Sequence, residues 1–139
     1  MKIKLKKLHA NAVAPKFGKP GDAGADLVAT SVDYSRENQV VYGTGIAVEI
    51  PEGMVGLVFP RSSVRNYELM LSNAVGVIDS GYRGEIMATF VMGDPDKTYK
   101  IGDRIAQLII MPVPLVEYII VDELSETERG TGGHGSTGQ

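Results

Sequence analysis

The chain has no cysteine, no tryptophan and only two histidines, His9 and His134, in 139 residues. Without cysteine there are no disulfides, thiolate metal sites, iron–sulfur clusters or cysteine nucleophiles. Two lone histidines do not make a histidine-rich zinc site. No apolar run reaches the ~20 residues that a membrane-spanning helix needs. The N-terminal stretch MKIKLKKLHA is basic but lacks the continuous apolar core of a secretory signal. Positive charge is not in excess either. The formal net charge is −3, which argues against stable nucleic-acid binding through phosphate neutralisation. A soluble protein of the cytoplasm, without a membrane anchor, is the expectation.

Glycine, by contrast, is plentiful. The chain has 17, where an average composition near ~7% would give about ten. Hydrophobic residues make up 43% and charged residues 22%, ordinary values for one globular domain of this length. The dominant pattern is alternation with period two, the signature of strands. It is visible in KIKLK at the start, in 26–34, in 39–50 and in MVGLVF (54–59). Pro51-Glu52-Gly53 predicts a turn. Segments 69–79 and 84–92 flank Ser80-Gly81 and predict a hairpin. RIAQLIIM (104–111) and VEYIIVD (116–122) read as buried strands separated by Pro112 and Pro114. Only residues 62–67 suggest a helix, a short one with Ser62 and Ser63 available as caps. Many short strands with regular turns predict an all-β antiparallel barrel or sandwich. The last eleven residues, RGTGGHGSTGQ, hold five glycines and no aliphatic side chain, so this tail is expected to be mobile on its own.

Five segments combine glycine with an acid, an amide, a hydroxyl or an arginine. They are PGDAGADL (20–27), PRSS (60–63), NAVGVIDSGYRGE (73–85), GDRIAQ (102–107) and the tail. Taken singly, each is as compatible with a plain turn or a helix cap as with a site. Gly102-Asp103, for one, reads as a simple β-turn. Together they offer guanidinium, hydroxyl and glycine amide donors, which suit phosphate oxygens. The GxxxxGK[ST] loop is absent, and so is a GxGxxG turn between strand and helix. No Ser-His-Asp arrangement is plausible with these two histidines. Asp26 and Asp79 are carboxylates able to hold waters or the hydration shell of magnesium.

In order and spacing, the five segments resemble the motifs of trimeric deoxyuridine triphosphatases (dUTPases), over nearly the whole chain. AGADL (23–27) is similar to the first motif and PRSS to the second, where Ser63 stands at a usual glycine. NAVGVIDSGYRGE is similar to the third and GDRIAQ to the fourth. RGTGGHGSTG (129–138) is similar to the fifth, with His134 at a usual phenylalanine. The resemblance implies a distorted, jelly-roll-like antiparallel β-barrel over 1–124 and an arm over 125–139 that closes on an active site. It implies hydrolysis of dUTP to dUMP and pyrophosphate, which limits uracil in DNA and supplies dUMP for dTMP synthesis. It further implies Mg²⁺ as cofactor and a homotrimer whose active sites lie between subunits.

The same resemblance implies the roles of individual residues. Asp79 is the base that activates water for attack on the α-phosphorus. Tyr82 packs on the deoxyribose and excludes a 2′-hydroxyl. Gly76, Val77, Ile78 and Met87 belong to the region that receives uracil, mainly through main-chain groups. Asn73 either contacts the base or braces the arm. Arg61, Ser62 and Ser63 handle phosphate, and Ser62 steadies the charge on the leaving oxygen. Should position 63 require a positive φ, serine there would be strained. Gln107 holds phosphate or the water network around the metal, Asp26 orders metal-bound water, and Arg104 is structural. No direct protein ligand for Mg²⁺ is expected. Arg129, Gly135, Ser136 and Thr137 contact the distal phosphates as the arm closes, and His134 stacks on uracil. A deaminase acting on dCTP, from the same superfamily, and a non-enzymatic dUTP sensor are the competing readings. The DSGYRG segment favours hydrolysis over the first. Asp79, Tyr82, Gln107 and the full tail favour catalysis over the second.

Overall fold

A computed structural model describes residues 1–133. Ten strands and one short helix follow each other in the order β1 (Lys4–Lys7), β2 (Ala25–Val28), β3 (Ser31–Asp33), β4 (Gln39–Gly43), β5 (Ile46–Glu49), β6 (Met54–Pro60), a 3-10 helix (Ser62–Asn66), β7 (Leu69–Leu71), β8 (Gly76–Ile78), β9 (Met87–Met92) and β10 (Arg104–Pro112). They form two four-stranded antiparallel sheets, β2-β10-β6-β8 and β3-β4-β9-β7, and the pair β1-β5. This is the expected all-β, jelly-roll-like architecture.

Alternation sets which face of each strand is buried. In β2, Ala25 and Leu27 point into the core while Asp26 and Val28 face outward. Val40, Tyr42, Phe90, Ile105 and Leu108 do the same from both sheets. An aromatic cluster closes the centre. The Tyr42 ring meets Phe90 at 5.9 Å and Tyr99 at 6.0 Å, both edge-on, the favoured geometry for aromatic quadrupoles. The Tyr42 hydroxyl donates to the Tyr99 carbonyl at 2.9 Å. Burial pushes the Tyr42 phenol well above its ordinary pKa. The turn expected at Pro51–Gly53 is present, with Gly53 at φ 74° and the Met54 N–H donating to the Pro51 carbonyl.

The structure corrects three expectations. First, the hairpin expected of 69–79 and 84–92 forms only at its outer ends, where Leu69–Leu71 pairs antiparallel with Phe90–Met92. The first stretch breaks into β7 and β8, which sit in different sheets; β8 pairs with β6, and β9 pairs with β4 and β7. The break falls at Ala74, which adopts φ 57°, a left-handed conformation costing an L-residue about 1–2 kcal/mol. Second, VEYIIVD is not a buried strand. Pro112 ends the ladder of β10, and 113–124 runs in no sheet of its own chain; Tyr118 and Ile120 are 92% and 99% exposed. Third, the serines do not cap the helix. Arg61 is the N-cap, in extended conformation, and no side chain bonds there.

Candidate active site

Strand β10 assembles the site. It lies between β2 and β6, with Gln107 opposite Asp26 on one side and Phe59 on the other. The first, second and fourth motifs therefore meet at one end of one sheet. A bulge at Ile105 shifts the register against β2 and places Arg104 on the same side as Asp26. The Gln107 amide donates to the Pro60 carbonyl at 3.1 Å, which leaves its own oxygen facing Gly24. A Cβ on Gly24 would collide with that oxygen and with the Gln107 stem. Glycine is required there so that the first motif can lie flat against the fourth.

Asp26 is the electrostatic centre. Its carboxylate accepts from Arg61 Nε at 2.6 Å with one oxygen and from Arg104 NH1 at 3.1 Å with the other. The Asp26 side chain is 14% exposed and that of Arg61 22%, so the inner pair is shielded from screening. Arg61 also donates through NH1 to the Ser63 hydroxyl at 3.1 Å. Ser63 lies in the 3-10 helix and is not among the described non-glycine residues with positive φ, which are Asn38 and Ala74. It carries none of the backbone strain considered above and instead braces Arg61. The Tyr99 hydroxyl is buried behind this group; the Ser63 hydroxyl faces it without closing a hydrogen bond, and burial pushes the Tyr99 phenol up. In front lies a cleft of about 300 Å³ lined by Gly24, Asp26, Arg61, Ser62, Arg104 and Gln107, with Asp22 at its rim.

The third motif lies elsewhere. β8 is the edge strand of its sheet, paired to β6 with Ile78 opposite Gly56 and Gly76 opposite Val58. Its other edge offers main-chain donors and acceptors. Asp79 follows β8 and is exposed; its carbonyl accepts from the Tyr82 N–H at 3.1 Å, closing a turn. The Tyr82 hydroxyl donates to the Glu85 carbonyl at 2.9 Å and the ring covers Gly84. Val77 and Met87 are exposed, 62% and 51%; Asn73 is exposed in the turn before β8. Asp79 and Arg61 stand at opposite ends of β6, roughly 20 Å apart at ~3.3 Å per strand residue. Arg129 donates to the Gly132 carbonyl at 3.0 Å. His134, Gly135, Ser136 and Thr137 lie outside the described residues. Glu85 carries no role legible in the sequence; its carboxylate accepts from the Gly45 N–H at 2.7 Å, forty residues away, and no local pattern announces it.

A cleft of arginine, hydroxyl and amide donors on a jelly-roll sheet suits a phosphate-bearing ligand. A family model described as dUTPase matches residues 10–138. The deoxyuridine 5'-triphosphate nucleotidohydrolase of Corynebacterium glutamicum is 46% identical over 141 residues, spanning 99% of this chain and 95% of the relative. That of Nocardia farcinica is 44% identical over 140 residues, spanning 98% and 85%. The dUTPase of Staphylococcus bacteriophage 80alpha, solved with dUPNHPP, superposes with a TM-score of 0.85 at 30% identity over 99% of both chains. The dUTPase of phage phi11, whose structure describes coordination of a structural Mg(II) ion, superposes at 0.73 with 28% identity over 88% of this chain and 98% of its own. The chain belongs to the dUTPase family, and its activity is the hydrolysis of dUTP.

Proposed function

We propose that the enzyme is a homotrimer in which each active site is built from more than one chain. The observation that carries this is the separation of Asp79 from Arg61 along β6. A base and the guanidinium that neutralises the same triphosphate must converge within a few ångströms of it. One chain cannot bring them together, so the cleft of one copy faces the β8 edge of another. The exposed segment 113–124 supports the same assembly. Leu115, Tyr118, Ile119, Ile120 and Leu124 all stand in solvent on a single chain, and each contributes ~1.5–3 kcal/mol once buried. A neighbouring copy covers them. Residues 1–124 form the body of each copy and 125–139 its arm.

Within that site, uracil binds along the β8 edge, where main-chain N–H and C=O groups of Gly76–Ile78 read its donor–acceptor pattern. Cytosine presents the wrong pattern and is refused. Tyr82 packs on the deoxyribose and leaves no room for a 2′-hydroxyl. Asp79 takes a proton from the attacking water, the water oxygen bonds to the α-phosphorus, and the α–β bridging oxygen leaves with pyrophosphate. Arg61, held by Asp26 and Ser63, meets the triphosphate, and Ser62 donates to the leaving oxygen. Asn73 braces or contacts the base, and Met87 lies on the same side. Arg129, His134, Gly135, Ser136 and Thr137 close the site from the arm.

Charge points to a cation. Asp22 and Asp26 cancel Arg61 and Arg104, so the cleft alone offers a triphosphate no net positive charge. Among the described residues no three acidic or histidine side chains converge. The donor set of Asp26 and the Gln107 oxygen suits the waters of Mg²⁺ rather than a protein cage. When bound, Mg²⁺ neutralises the phosphates; Asp26 and Gln107 would hold its waters. No helix among the described residues is long and apolar enough to cross a membrane, and a cytoplasmic location is proposed. Pyrophosphate release with dUTP, dCTP, UTP and dTTP tests the substrate: release with dUTP alone supports the reading, and equal release with dCTP or UTP sinks it.

A further inference from the structure

We infer that Glu85 is a positioning residue for Tyr82, and that it sets the preference for deoxyribose over ribose. The inference rests on the reading that Tyr82 packs against the sugar. The exposed turn 79–84 has little apolar packing to hold a half-exposed tyrosine ring in place. A hydrogen bond holds it instead: the Tyr82 hydroxyl donates to the Glu85 carbonyl at 2.9 Å. That carbonyl is useful only if residue 85 is itself fixed.

Two bonds from the β4–β5 connection and one from the start of β5 fix it. The Gly45 N–H donates to Glu85 Oε1 at 2.7 Å. The Thr44 hydroxyl donates to the Ile86 carbonyl at 2.6 Å, and the Ile86 N–H donates to the Ile46 carbonyl at 2.9 Å. Thr44 is 1% exposed and Ile86 likewise, so the clamp is anchored in the core. Gly45 sits at φ 68° and carries no side chain, which turns its N–H toward the carboxylate. The Glu85 carboxylate shares with the Ser31 hydroxyl the space over Gly43 that a Cβ would occupy. A line of contacts thus runs from the core through Gly45 and Glu85 to the Tyr82 ring. Loss of the Glu85 side chain frees one end of it. The ring then swings, and space for a 2′-hydroxyl opens.

The test measures kcat/KM for dUTP and UTP on the assembled enzyme with Glu85→Ala, Glu85→Gln, Tyr82→Phe and Tyr82→Ala. A carboxamide keeps an oxygen for the Gly45 N–H, so Glu85→Gln should hold the dUTP/UTP ratio within about threefold. Glu85→Ala and Tyr82→Phe each remove one net hydrogen bond from the line and should lower the ratio by about fivefold or more. The double variant Tyr82→Phe/Glu85→Ala should be no worse than Glu85→Ala alone, because both cut the same line. A merely structural glutamate would lower both rates together and leave the ratio alone. Tyr82→Phe keeps its ring and decides the matter even if Glu85→Ala does not fold: an unchanged ratio overturns the inference. If Tyr82→Ala itself leaves the ratio unchanged, the sugar-packing reading has failed instead.

Discussion

Shared active sites make a quantitative prediction. Asp79→Asn removes the proposed base and leaves Arg61; Arg61→Ala does the reverse. Each variant alone should retain at most about a hundredth of the activity, the low end for loss of a general base. Both chains, carrying different tags, are then co-expressed and purified through both tags. Every trimer recovered holds two chains of one kind and one of the other. In a closed three-fold ring each cleft faces one neighbour, so one cleft in the mixed ring pairs an intact Arg61 with an intact Asp79. Activity should return to roughly one third of the unmodified trimer, whichever chain is in excess. The ~20 Å between the two backbone positions along β6 argues against rescue within one chain. Pyrophosphate release with saturating dUTP reads the result. Mixed trimers as inactive as their parents would refute the shared site.

Other outcomes follow from single contacts. Asp26→Asn leaves one acceptor oxygen for two guanidiniums and should cost about 2–3 kcal/mol of stability, read as a lower melting temperature together with a raised KM for dUTP; an unchanged melt and KM would refute the central role given to Asp26. Ala74→Gly relieves a left-handed alanine and should add about 0.5–1 kcal/mol after the entropy of glycine is offset; thermal melting at fixed protein concentration checks it, and Ala74→Val should do the reverse. Gly24→Ala pushes Gln107 from its place and should lower kcat/KM by tenfold or more, at ~1.4 kcal/mol per decade, and a wild-type value would show that the first motif has slack. His134→Phe should bind substrate more tightly, because a phenyl ring offers a larger apolar face for stacking on a base than an imidazole does; an unchanged KM for dUTP would remove the idea.

The chemistry was legible where residue type alone carries it. Arginine, serine, glutamine and aspartate at motif spacing located the cleft, and Pro51–Gly53 and Lys100–Asp103 turn as their residues require. What pairs with what was not legible. VEYIIVD has the composition of a buried strand, and periodicity reports the face but not the chain that covers it. Ser72-Asn73 carries a turn signal, but with no glycine or proline beside it nothing in the sequence shows that the chain changes sheet at Ala74. Ser63 looked like a burden at a glycine position, yet its hydroxyl serves Arg61. Glu85 was silent because its partners, Gly45 and Tyr82, converge on it only in the fold.

The uncovered apolar ribbon after Pro112 has a consequence for handling the enzyme. A lone folded chain carries an apolar tract that no sheet of the same chain covers, and such tracts stick to one another as readily as to a partner. If the proposed trimer covers it, dilution or subunit dissociation should end in precipitate rather than in a reservoir of soluble monomers.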